Sequence, residues 1–209
     1  QTNLLESRLL AGDSDIYQRF IASTQQLSAP LVFFDAKLKE QQKRHAKFND
    51  TAYNLEPNIK ESPGGLRDLH MVSSLAHSLN LHERGNKNQP SNIWKLLTEC
   101  SLISDTDAKQ IRQHERKLQN LRIRLHYLSG RREDRLLFDF QNELAAELGY
   151  QNTPRKRASE QLMQSYYRSA KYIELMNEIL LKEIKQKLSS DMAEVITINA
   201  DFESRSQLL

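Results

Sequence analysis

The chain has 209 residues, a formal net charge of +3 and 27% charged residues, which is long enough for a real core and too evenly charged for strong steering towards nucleic acid or membrane. No apolar run reaches membrane-span length, no signal peptide opens the chain, and the single Cys100 excludes an intrachain disulfide framework. These features predict a cytoplasmic protein with neither a nucleic-acid nor a membrane partner.

The chain opens at Gln1, without Met, inside a helical pattern, which suggests a fragment of a larger protein. Residues 3–10 read as a short helix ending at Gly12, with Asp13 or Ser14 capping a second helix that carries Ile16, Tyr17, Phe20 and Ile21 at helical spacing. Pro30 fits an early position in a helix running to about Phe48, whose buried side is marked by Leu31, Phe34 and Leu38, with Ala46 and Phe48 as further candidates. Its later part, KLKEQQKRHAKFND, is polar and basic and reads as a solvated face.

The stretch YNLEPNIKESPGGLRDLH, residues 53–70, interrupts the helical pattern. Pro57 and Pro63 bias Glu56 and Ser62 towards extended backbone, and Gly64-Gly65 permits a tight turn. Leu66, Leu69, Val72, Leu75, Ala76 and Leu79 then return to helical spacing. Free amides at that helix start, beside Lys60 and Arg67, would suit an anion. On these residues alone an ordinary turn and cap is the better reading, and neither standard phosphate-loop pattern is present.

Residues 83–92 read as a polar loop and 93–103 as helix with Trp94, Leu97 and Leu102 inward. Ser104 with Asp107 resembles a capping box opening a long helix, on which Ile111, Leu118, Leu121, Leu125 and Leu128 form the core stripe. Gly130 ends it, and RREDR follows, either a self-satisfied ion-pair knot or an anion-holding fork of arginines. A short helix follows to Gly149. The last helix is expected to start near Thr153-Pro154, with Leu162, Tyr166, Ala170, Ile173, Leu180, Ile184 and Leu188 on one stripe. The histidines lack metal-ligand spacing. Asp13-Ser14-Asp15 has the letters of a metal-binding pair but opens a helix, so it reads as a cap.

The predicted fold is all-α, a bundle of about seven or eight helices with one extended Pro/Gly-rich insertion. Residues 1–26 would be the end of a preceding domain or the first helices, 27–188 the helical domain, and 189–209 a linker or disordered tail.

Four segments in order resemble the bacterial PII uridylyltransferase/uridylyl-removing enzyme family: NLLESRLLAGD at 3–13, the glycine stretch at 53–70, RREDRLLFDFQNELAAELGY at 131–150, and SYYRSAKYIELMNEILL in the last helix. A weaker likeness to glutamine-synthetase adenylyltransferases lies in Lys60, Gly64, Gly65 and Asp68. The resemblance implies the helical domain that follows a nucleotidyltransferase core. It implies a parent that moves UMP from UTP to a tyrosine of the PII signal protein and removes it again in nitrogen regulation. Mg²⁺ would be held by that core and not here, with a His-Asp hydrolase domain elsewhere in the same polypeptide.

Lys60, Gly64, Gly65, Arg67 and Asp68 are then expected at the nucleotide, with Asp68 orienting Arg67 or a group of the catalytic domain. Arg132, Asp134 and Arg135 are expected in a secondary cleft or a structural knot. Glu6 is a candidate metal-proximal carboxylate; no other catalytic residue is expected in this fragment, which should be inactive alone. The alternatives are a structural or protein-docking helical module without nucleotide contact, or a related nucleotidyltransferase using ATP. A nucleotide role requires Lys60 and Arg67 to be exposed and convergent, whereas a structural one places them in internal ion pairs.

Overall fold

A computed structural model describes residues 7–25, 29–84, 93–192, 195–197 and 203–205. Among the described residues the body is all-α, with α1 (Ser14–Gln25), α2 (Pro30–Ala46), α3 (Leu66–Arg84), α4 (Ile93–Glu99), α5 (Asp105–Ser129), α6 (Phe138–Glu147) and α7 (Ala158–Met192). A short strand pairing joins β1 (Val195–Thr197) antiparallel to β2 (Glu203–Arg205), in the segment read from sequence as linker or tail.

The start and stop signals operate mostly as physical chemistry requires. The Asp13 carboxylate accepts from the amides of Asp15 and Ile16 and caps α1. Pro30 opens α2, where its missing N–H costs nothing. The Ser104 hydroxyl accepts from the Asp107 amide at 3.0 Å and caps α5, and Gly130 ends that helix in the left-handed conformation. Ser104→Ala should therefore lower stability by about 1 kcal/mol, measured as a shift of the urea midpoint without a change in slope.

Two expectations are corrected. Residues 7–10 are not helical, because the Ser7 carbonyl is taken by the Tyr17 hydroxyl at 2.7 Å instead of by a helical amide. The last helix does not start at Pro154. The Thr153 hydroxyl accepts from Lys156 N and the Lys156 carbonyl closes onto Thr153 N, forming a separate turn. The helix begins at Ala158, where the Glu160 carboxylate reaches back to the Arg157 amide in half of a capping box.

At 35 residues, α7 is about 52 Å long, and it packs against α2, α3, α5 and α6. Its predicted stripe is buried throughout: Leu162, Tyr166, Ala170, Ile173, Leu180, Ile184 and Leu188. The main core joins the Leu162–Leu180 part of this stripe to Ile59 of the insertion, to Leu66, Leu69 and Val72 at the start of α3, to Trp94 and Leu97 of α4, and to Ile111, Leu118, Leu121 and Leu125 of α5. A second cluster, Phe33, Phe34, Met71, Leu75, Leu181, Ile184 and Leu188, seats α2 against α3 and the far end of α7. The Pro/Gly-rich insertion thus enters the bundle where α2, α3 and α7 meet.

Candidate functional site

Glycine at 64 and 65 is required by packing. Gly64 has φ +71°, and a Cβ there would lie 2.0 Å from the Ala170 carbonyl oxygen, so the turn rests directly on the α7 backbone. A Cβ on Gly65 would lie 2.7, 2.8 and 2.9 Å from the carbonyl oxygens of Lys60, Ser62 and Ile59.

The amides expected to be free are committed internally. Gly64 N–H donates to Asp68 Oδ2 at 2.8 Å. Gly65 N–H donates to Ser62 O, Leu66 N–H to Ile59 O, Arg67 N–H to Lys60 O and Asp68 N–H to Gly65 O. The chain folds back on itself here, and an anion meets no unpaired amide from 64 to 68.

Asp68 is fully buried and forms the hub of a polar cluster. Gln41 Nε2 donates to its Oδ1 at 2.9 Å, the Arg44 guanidinium donates to the same oxygen, and His45 Nε2 lies 2.9 Å from it. Burial by itself pushes the Asp68 carboxyl up, but His45, Gln41 and Arg44 together hold it below its ordinary value. Asp68 therefore orients Arg44 and not Arg67. The partnership of Gln41, Arg44 and His45 with Asp68 is hidden in the sequence by the basic run around them. A signal was present: Gln41 and His45 continue the heptad begun by Leu31, Phe34 and Leu38. The expected buried positions Ala46 and Phe48 are exposed and half-buried, because the stripe turns polar to meet Asp68.

Arg67 points outward at 43% side-chain exposure, with Nη2 3.7 Å from Glu40 Oε1. It lines a pocket of about 300 Å³ with Lys37, Glu40, Arg44, His70 and Ser74. Lys37 Nζ donates to Glu40 Oε2 at 2.6 Å, and this bond chiefly lowers the Glu40 carboxyl, against a partial burial effect. Buried Arg44 Nε–H has no hydrogen-bond partner among the described residues. Lys60 is not part of this pocket; its Nζ lies 3.4 Å from Glu61 Oε1 with the side chain only 18% exposed.

The glycine stretch and the RREDR break are joined by backbone pairing. Asn58 and Arg135 form an antiparallel bridge, Ile59 N–H donates to Asp134 O, and Leu136 N–H donates to Pro57 O. Asp134 accepts from Arg122 Nε at 2.5 Å and lies 3.0 Å from His126 Nε2. Burial pushes its carboxyl up, but Arg122 and His126, with the Lys60 charge, hold it below the usual range. Arg132 Nε is 3.9 Å from Asp134 Oδ2 and otherwise exposed, while Arg135 reaches Glu56 at 3.8 Å. Glu6 lies outside the described residues. Among those described, no three His, Cys, Asp or Glu side chains converge as a metal would need. No described helix is long and apolar enough to cross a membrane.

Residues 32–181 match the protein family described as GlnD PII-uridylyltransferase. The chain is 46% identical over 210 residues to a bifunctional uridylyltransferase/uridylyl-removing enzyme of Nitrosospira multiformis. It is 47% identical over 210 residues to the protein of that name in Aromatoleum aromaticum, and 43% identical over 209 residues to that of Thiobacillus denitrificans. Each match covers 100% of this chain but only 23, 23 and 24% of the respective relative, so the chain spans about a quarter of their length. No solved structure matches.

Proposed function

We infer the function from kinship, because this chain belongs to the GlnD PII-uridylyltransferase family. The longer polypeptide transfers UMP from UTP to a tyrosine of the PII signal protein and removes it again, in the cytoplasm. The 209 residues alone carry neither activity. When bound in a catalytic domain outside these residues, Mg²⁺ would activate the attacking oxygen and stabilise the departing pyrophosphate.

This chain supplies positive charge at the edge of the nucleotide cleft, through Arg67 and Lys37 of the pocket between α2 and α3. The observation that carries this reading is a half-exposed Arg67, 3.7 Å from Glu40, beside a buried Arg44 with a spare Nε–H, both within the family match. Gly64, Gly65 and Asp68 act one step back: the turn and its carboxylate fix Arg44 and the start of α3, which positions Arg67. Lys60 lies outside that pocket, and its charge acts on Asp134 instead.

In the full-length polypeptide, Arg67→Ala should reduce uridylylation of PII about 10- to 100-fold, the effect of losing a charge-assisted contact. UMP removal and the melting temperature should stay near parental values. Unchanged transfer overturns the cleft reading. It favours instead a purely structural helical module, which the committed amides at 64–68 and the buried Asp68 also support.

A further inference from the structure

An open groove of about 800 Å³ lies between α6, the first turns of α7 and the segment at 53–55. It shares no lining residue with the Arg67 pocket. Its floor is apolar and exposed: Tyr53, Leu55 and Phe138 are 60, 68 and 54% accessible. The Tyr53 ring lies 5.5 Å from that of Tyr167, whose hydroxyl donates to Asn54 O at 3.0 Å, so this aromatic wall is held in place. Lys156, Arg157 and Arg168 line the same groove. Among the described residues none of them forms an ion pair: Lys156 Nζ donates only to the neutral Gln164 amide, and the Glu160 carboxylate accepts from the Arg157 backbone.

We propose that this groove docks a short, extended, acidic segment of a separate partner protein, with carboxylates at both ends and an aromatic or aliphatic side chain between them. Arg157, immediately before α7, and Arg168, on that helix, are eleven residues apart, roughly 16 Å along the helix axis. An extended peptide covers that span with about five residues. The charge is therefore spread along a line with an apolar floor between its ends. A nucleoside triphosphate gathers its charge at one end and matches this spacing poorly. A segment of this size buries far less than the roughly 1,200 Å² of a stable interface, which suits a partner that arrives and leaves.

Fluorescence anisotropy tests the assignment, using the full-length polypeptide that carries this chain and a labelled Glu-Asp-Phe-Asp-Glu peptide. Saturable binding is expected, weakened about tenfold by combining Arg157→Ala with Arg168→Ala, and lost in about 1 M salt, where the Debye length is about 3 Å. Phe138→Ala should weaken it independently of salt. These positions are surface side chains, and an unchanged thermal melt confirms that the variants are folded. Equal binding by parent and double variant overturns the proposal, as does displacement of the peptide by an oligouridylate. Absence of binding to the full-length polypeptide also overturns it, since the groove is then closed to a separate partner.

Discussion

Asp68→Ala should destabilise the chain by about 3–5 kcal/mol, because it strands the buried Arg44 charge without its counter-ion. The carboxylate has a second duty, accepting from the Gly64 amide, so its loss also leaves a buried N–H unpaired at the turn that opens α3. For a domain of this size the melting temperature should fall by about 10 °C or more. Asp68→Asn keeps an acceptor for Gly64 but removes the charge, and should lie between parent and alanine. The double variant Arg44→Met with Asp68→Leu removes both charges and should recover much of the loss, as apolar replacements of buried pairs do. A melt of Asp68→Ala within about 2 °C of the parent would remove the cluster from the account of the fold.

The same carboxylate sets an acid limit. Its folded-state pKa is depressed below the ordinary value of 3.8. The stabilisation is therefore fully present above that value and is lost as pH falls through the folded pKa. Asp134 is depressed in the same direction and adds to the loss. Urea midpoints measured from neutral pH to below pH 4 should decline steeply in the parent and less steeply in Asp68→Asn, with the remaining slope shared by Asp134 and the partly exposed Glu40.

The apolar stripes were legible in the sequence because each records a helix against one partner. Leu162 through Leu188 on α7, and Ile111, Leu118, Leu121 and Leu125 on α5, are buried as their spacing predicts. Caps at Asp13 and Ser104 were legible for a similar reason, since each concerns residues two or three apart. The family was also legible, through four motifs in order. Long-range partnership was not. Asp68 sits in the first turn of α3, where a carboxylate favours the helix dipole, and nothing local to it announces Gln41, Arg44 and His45 on another helix. Pairing of residues 57–59 with 134–136 likewise depends on a chain reversal through three helices. The glycines were recognised as special, but their cause lies against Ala170, far along the chain on α7.

That contact supports the other large effect. Gly64→Ala should cost about 4 kcal/mol or more, from two separable sources. The left-handed backbone at φ +71° costs a Cβ-bearing residue about 1–2 kcal/mol. The rest is the 2.0 Å approach to the carbonyl oxygen of the fully buried Ala170, which is part of the α7 backbone and cannot rotate away. Gly130→Ala separates the two, since Gly130 has φ +62° with nothing within 4 Å of its Cβ position; it should lose only the conformational part. Ala170→Gly should not rescue Gly64→Ala, because the obstructing atoms are backbone. In the full-length polypeptide, transfer and removal of UMP should therefore fall together with the melting temperature in Gly64→Ala, whereas Arg67→Ala should reduce transfer alone. Equal melts for Gly64→Ala and Gly130→Ala would mean that α3 and α7 have room to part. The turn would then be free to serve a ligand, and its glycines would need an explanation other than packing.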